Sequence, residues 1–269
     1  MLAILLYHTE YYFTGKVLTN YSLYVTNSLV LFFVISGYLM YKENFEITKK
    51  IKSIFRSLLI PYFYFTFIIA IPKALAHGSE FSISEILNQI ILGQASWFVA
   101  ALCLSEFLFG LAIHFTHGNI KLLITISLIS FIISSIYFEA KQPFPWQLGN
   151  SLQAILFLFI GYIYHKYEIK FEFINKKPIV WCSLLAIFFI SVKLFETVAN
   201  IKLIVWPINI DNYFIFVLDS IICILFMINL SKQLPSCPWL EWGAAHISLL
   251  FPLRWNTSHI EYIIPQNRI

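Results

Sequence analysis

The sequence predicts an all-α fold, a multi-pass integral membrane bundle of eight or nine spans within one domain over residues 1–269. Three observations predict it. Of the 269 residues, 59% are hydrophobic and only 12% are charged, with a mean hydropathy of +0.76, whereas a soluble domain carries about 25% charged residues. That much apolar surface exceeds what one globular core can hide, so lipid must solvate part of it. Apolar stretches also recur about every 30 residues, close to the roughly 17–25 residues that one helical crossing needs. Finally, the connections are short and carry turn chemistry, as in His77-Gly78-Ser79, His117-Gly118-Asn119, Pro143-Phe144-Pro145 and Pro235-Ser236-Cys237-Pro238.

In chain order, a short apolar segment at 1–13 ends in the polar, aromatic stretch that follows His8. The next run, 21–41, carries Ser36 and Gly37 in the middle of hydrocarbon, where small residues let helix backbones approach closely. A basic turn then leads into the span 57–76. The span near 92–114 opens on Ser96-Trp97-Phe98 and holds Glu106 near its middle. Spans near 120–138 and 148–165 follow, the second ending Phe159-Ile160-Gly161-Tyr162. The last long runs are 178–195 and 213–230, with Asp219 inside the latter, and a shorter segment at 239–253 precedes a polar tail. No internal repeat or low-complexity linker divides the chain, which supports a single domain.

Lysine and arginine placement sets the expected orientation, because basic residues stay in the cytoplasm. The exits of the second, fourth, sixth and eighth segments carry eleven of them, against five (Lys16, Lys73, Lys141, Lys193 and Lys202) on the other side. The loops 42–56 and 165–177 are therefore expected in the cytoplasm, with His8 to Asn20 near the outer face. A net charge of +4 spread over loops argues against nucleic-acid binding and leaves membrane lipid as the general partner. The four cysteines show no metal-ligand spacing, and His114 with His117 lack a third ligand, so no metal site and no bound cofactor are expected.

Three features point to chemistry. His8 follows Leu5-Leu6-Tyr7, and a neutral imidazole there can take a proton from a hydroxyl and pass it on. A histidine at the membrane interface that bonds only water or headgroups is the plainer alternative. Glu106 and Asp219 are ionisable groups inside spans, where function is the default suspicion. Each could orient an imidazole, bind a sugar hydroxyl, or bond a backbone carbonyl. Lys49, Lys50, Lys52 and Arg56 form a basic turn before Pro61, which serves equally as an anchor on anionic headgroups or as a phosphate site.

The order of these features carries more than any one of them. A histidine ends the first segment, Phe32-Phe33-Val34-Ile35-Ser36-Gly37-Tyr38-Leu39 fills the second, and a basic stretch runs into Pro61-Tyr62. That order resembles the membrane-bound acyltransferase-3 family, which O-acylates cell-surface sugars in bacteria. Ser96-Trp97-Phe98 and the phenylalanine-rich span ending in Gly161-Tyr162 resemble the same family. The resemblance covers most of residues 1–165 and is thin after Pro178.

The resemblance implies that His8 is the catalytic base and that Arg56, with Lys49, Lys50 and Lys52, lies near the donor acyl-coenzyme A, acetyl-coenzyme A being the expected co-substrate. Ser36, Gly37 and Tyr38 are expected to pack the second segment against the first, or to touch substrate, and Trp97 to sit in an aromatic belt, pack between helices or contact substrate. Family members carry an arginine eleven residues before the histidine, a position that falls before Met1 here. The chain is therefore expected to be incomplete at its start, and its last segment incomplete too. The implied function is transfer of an acyl group, acetyl above all, to a hydroxyl of a surface polysaccharide or its lipid-linked precursor at the plasma (inner) membrane. A lipid-linked glycan transporter or flippase, and an inactive truncated remnant, are the competing readings.

Overall fold

The computed structural model describes residues 21–76, 83–138, 144–171 and 178–234, with residues 4, 6, 7 and 10 ahead of them. Its helices are α1 (Tyr21–Met40), α2 (Ile47–Ile54), α3 (Ile60–Ala76), α4 (Ile83–Ile91), α5 (Trp97–Thr116), α6 (Ile120–Tyr137), α7 (Leu148–Lys166), α8 (Pro178–Val198) and α9 (Tyr213–Gln233). A two-stranded hairpin, β1 (Leu203–Ile204) with β2 (Asn209–Ile210), joins α8 to α9. Among the described residues, seven helical stretches are long and apolar enough to cross a membrane. They match the seven long spans expected from the sequence; the segments at 239–253 and most of 1–13, with His8, lie outside the described residues. The protein is an all-α multi-pass bundle.

Local sequence sets the element ends. Asn119 caps α6 by accepting a hydrogen bond from the Lys121 amide, and Asn212 caps α9 by accepting from the amides of Phe214 and Ile215. Helix α5 ends at His117, which is left-handed at φ 51°, followed by Gly118 at φ 70°. Helices α2 and α3 are joined by a π-turn over Phe55–Leu59. Pro61 lies just beyond it; a proline ring has no N–H and crowds the carbonyl four residues back, and a wider turn relieves that crowding. Helix α2 is amphipathic, with Ile54 buried and Lys49 and Lys52 exposed, as suits a segment entering the membrane from its surface.

The centre of the bundle is α1 laid against α7, and glycine sets the approach. A side chain at Gly37 would overlap the Leu158 carbonyl, and one at Gly161 would overlap the Val34 carbonyl. Each helix thus presents its glycine to the other's backbone, which packs two apolar helices closely in lipid. The expectation that Ser36-Gly37-Tyr38 packs against the first segment falls on a segment that lies mostly outside the described residues; within them, the glycine faces α7. Side chains of α5, α6 and α9 close the core around this pair, with Phe109, Phe157 and Phe216 fully buried.

The outer helices face lipid. Helix α6 exposes Leu122, Ile129, Ile132 and Ile136, and α8 exposes Ile179, Ile187, Phe188 and Leu194. In α8 the pattern is inverted, since its buried side chains are Lys193 and Glu196. Lys193 belongs to a span, not to a loop as the orientation count assumed.

Candidate active site

The expected site residues gather at two levels of the bundle. At the basic end, Ser36 on α1, Lys50 on α2 and Glu106 on α5 form one cluster. The Ser36 hydroxyl donates to Glu106 Oε1, and Lys50 Nζ lies 2.7 Å from Glu106 Oε2. Glu106 is only 8% exposed, yet both its oxygens are satisfied, which is the condition for holding a carboxylate inside a membrane protein. Lys50 is therefore committed to Glu106, although the sequence places it with the donor-binding lysines.

Lys49 is 2.7 Å from Glu46 on the surface. Lys52 and Arg56, four residues apart, are exposed and make no ion pair among the described residues. Of the four basic candidates, these two have no ion-pair partner among the described residues, and Arg56 brings a guanidinium that can bind two oxygens at once.

A second set of contacts fixes the same end. The Tyr38 hydroxyl donates to Glu168 Oε2 at 2.7 Å, and Lys232 Nζ donates to Glu168 Oε1 at 3.0 Å. His165 stacks on the Tyr38 ring at 4.1 Å, and its Nδ1 is 2.7 Å from the Tyr38 carbonyl oxygen. Burial pushes the Glu168 carboxyl upward, but the Tyr38 hydroxyl and Lys232 outweigh it and hold the group below its ordinary value. Tyr38 is thereby tied to both α7 and α9, a structural role that its place beside Gly37 did not reveal.

Toward the opposite end lies a buried polar layer. Lys193 Nζ is 2.7 Å from Asp219 Oδ2 and 3.0 Å from Glu196 Oε2, and Asp219 is fully buried. Asn27 on α1 lies beside Asp219. Asp219 thus answers to a lysine one helix away, a pairing that hydropathy alone does not expose. The hairpin is seated on this end of the core: Thr26 Oγ1 donates to the Leu203 carbonyl at 2.6 Å, and Asn150 Nδ2 donates to the Val205 carbonyl at 2.5 Å. Trp97, expected in an aromatic belt, between helices or against substrate, stacks on Trp206 of this hairpin with ring centres 5.7 Å apart and planes 8° apart. Beneath the pair, Asn150 and Gln153 reach a small cavity.

The family model described as an acyltransferase domain, acyltransferase-3, matches residues 1–250. The chain belongs to the acyltransferase-3 family. It is a membrane acyltransferase, and each candidate residue from His8 to Asp219 lies within the matched range. Neither the curated proteins nor the solved structures give a match to it. The acyltransferase-3 motifs quoted above meet in space. The glycine of Ser36-Gly37-Tyr38 packs on the span ending in Gly161-Tyr162, and Phe98 contacts Phe33 with ring centres 5.3 Å apart. Sequence reasoning missed Lys193, Glu196, Glu168 and Gln153. The first two sit among apolar neighbours, and an amide or a loop glutamate carries no spacing signal of its own.

Proposed function

We propose that the protein transfers an acyl group, acetyl in the first instance, from acyl-coenzyme A to a hydroxyl of a cell-surface polysaccharide or its lipid-linked precursor, at the plasma membrane. Membership of the acyltransferase-3 family over residues 1–250 carries this reading. The exposed pair Lys52 and Arg56 supports a phosphate-bearing donor at the basic end, which the lysine count assigns to the cytoplasm. In the reaction the thioester C–S bond breaks and an ester C–O bond forms. The acceptor hydroxyl gives up its proton, and the released thiolate gains one. His8 is the base in this scheme; its imidazole changes charge close to neutral pH and can both take and return that proton. Lys50, held by Glu106, has the structural task of neutralising that carboxylate and leaves the donor phosphates to Lys52 and Arg56.

The test is esterification of surface glycan by cells that make the protein. Base-labile ester should accumulate, and His8→Ala should remove it at an unchanged protein level, since losing a general base costs about 10²–10⁴ in rate. Lys52→Ala with Arg56→Ala should raise the KM for acetyl-coenzyme A with little change in kcat. Ester that persists in His8→Ala cells would move the chemistry to another residue, and no ester from the unaltered chain would refute acyl transfer to the glycan.

A further inference from the structure

Hydroxyls in membrane helices are usually satisfied locally. Ser28, Ser57, Thr66, Ser105 and Thr116 each donate to a backbone carbonyl three or four residues back in their own helix. Ser36 does otherwise. Its hydroxyl leaves α1 and donates to Glu106 Oε1 on α5, and the other oxygen of that carboxylate is 2.7 Å from Lys50 Nζ on α2. A hydroxyl on a base, with the base held by a third group, is the pattern of an activated nucleophile.

Stability alone does not call for this set. Apolar side chains of like volume often hold a fold as well as a buried ion pair does, or better, and ionisable groups inside spans mark function by default. The set is also open to an incoming group. The Ser36–Glu106 hydrogen bond is only partly buried, Ser36 is half-buried, and the Lys50 side chain keeps 18% of its surface exposed. Cys103, three residues before Glu106 on α5, would be the stronger nucleophile by type, but it is enclosed against Ile54 and Leu58. Ser36 stands four residues before Met40, about 6 Å from the basic end of α1 at 1.5 Å per residue. The hydroxyl therefore lies at the end of the bundle to which the donor is assigned above.

We propose that Ser36 is a nucleophile that carries the acyl group as a serine ester between donor and acceptor, with Glu106 as its base. The inference rests on the acyl-coenzyme A reading above and adds a covalent intermediate to it. In the first half, Ser36 Oγ attacks the thioester carbonyl. The C–O bond to Ser36 forms, the C–S bond breaks, and the hydroxyl proton passes to Glu106 and then to the departing thiolate. In the second half, the acceptor oxygen attacks the Ser36 ester. Its C–O bond to the acyl carbon forms and the bond to Ser36 breaks. The proton taken from the acceptor by His8 is returned to the Ser36 oxygen, which leaves the protein as it began. The thiol can depart before the acceptor reacts, so donor and acceptor need not be bound together.

The full chain, purified in detergent, is given acetyl-coenzyme A labelled in the acetyl group, with no acceptor present. Label should stay on the denatured protein, leave it in dilute base, and map by mass spectrometry to the peptide that holds Ser36, with thiol released in equal amount. Ser36→Ala should hold no label. Ser36→Cys should hold it as a thioester that neutral hydroxylamine removes, a signature that a packing role would not produce. Glu106→Gln should slow labelling about 10²–10⁴-fold, the usual loss for a general base. Each variant is first checked for a single species in detergent, and Ser36→Cys serves if Ser36→Ala does not fold. Membranes from the same cells, which supply the native acceptor, report transfer to glycan. A chain that transfers acetyl in membranes yet takes no label when purified, or takes it on a residue other than Ser36, would overturn the inference and leave the proposed function standing. A chain that neither transfers nor takes label would overturn both.

Discussion

Both carboxylate oxygens of Glu106 are occupied, one by the Ser36 hydroxyl and the other by Lys50. The two partners differ in their access to water. The Lys50 side chain keeps 18% of its surface exposed and Glu106 keeps 11%, so a lysine deprived of its partner can swing outward and the glutamate cannot. Lys50→Ala should therefore destabilise the protein more than Glu106→Gln, by about 3 kcal/mol for the lysine change, in the range for stranding one member of a buried pair. Thermal unfolding of both variants in the same detergent checks this; equal losses would mean that the carboxylate is relieved by some other group. Lys193 is the sharper case, since it balances two carboxylates that are almost wholly enclosed. Lys193→Ala should be the most damaging single change on α8, well beyond Ile187→Ala on the lipid face, and Lys193→Arg should not rescue it fully because the fork demands a different geometry. Yield of folded protein from detergent extracts reads this directly. The sequence exposed Glu106 and Asp219 as anomalies in hydrocarbon, but their partners stayed hidden. Lys50 reads as one of several basic residues in a turn, and Lys193 reads as a topology signal. Hydropathy tells which residues cross the membrane, not which ones face each other across it.

At the scale of elements, the contact of α1 with α7 depends on two positions that cannot carry a side chain. Gly37→Ala and Gly161→Ala each place a methyl against a backbone carbonyl that is fixed in its own helix, so the helices must separate. Overpacking costs typically about 1–3 kcal/mol even where side chains can yield, and here the obstacle is backbone. Both variants should lose most folded protein, whereas Gly110→Ala, which meets only flexible side chains at 3.4 Å or more, should be tolerated. The ties from Tyr38 and Lys232 to Glu168 add a pH dependence. A carboxylate held below its ordinary value contributes stability that is fully present above the unfolded value of 4.5 and is lost as pH falls through the lowered folded value. The thermal midpoint should drop over that acid range, and Glu168→Gln should flatten this part of the profile; an identical profile in the variant would place the acid sensitivity elsewhere. All seven long spans were legible from apolar run length. The hairpin over Leu203–Ile210 was not, because two strands of two residues each leave too short a pattern to read against the surrounding loop.

For the whole molecule, the basic loops and the contacts that join them lie together. Tyr38, Glu168 and Lys232 are linked at one end, while Trp97, Asn150, Val205 and Trp206 meet at the other. The positive-inside rule puts the first end in the cytoplasm. In a cysteine-free background, a single cysteine at Lys49 should resist impermeant thiol reagents in intact cells, and one at Lys202 should be labelled. The reverse pattern would move the proposed donor site to the far side of the membrane and remove the support for the proposed coenzyme A phosphate at Arg56. The hairpin's seat on Trp97 adds an optical property to this layout. Two indoles stacked 5.7 Å apart couple their strong indole transitions, so their far-ultraviolet circular dichroism should show a pair of bands of opposite sign. Trp206→Phe should erase that couplet with the remaining indole spectrum intact. Any ligand that lifts the hairpin from the core should erase it in the same way, which makes the indole pair a gauge of whether the hairpin is seated.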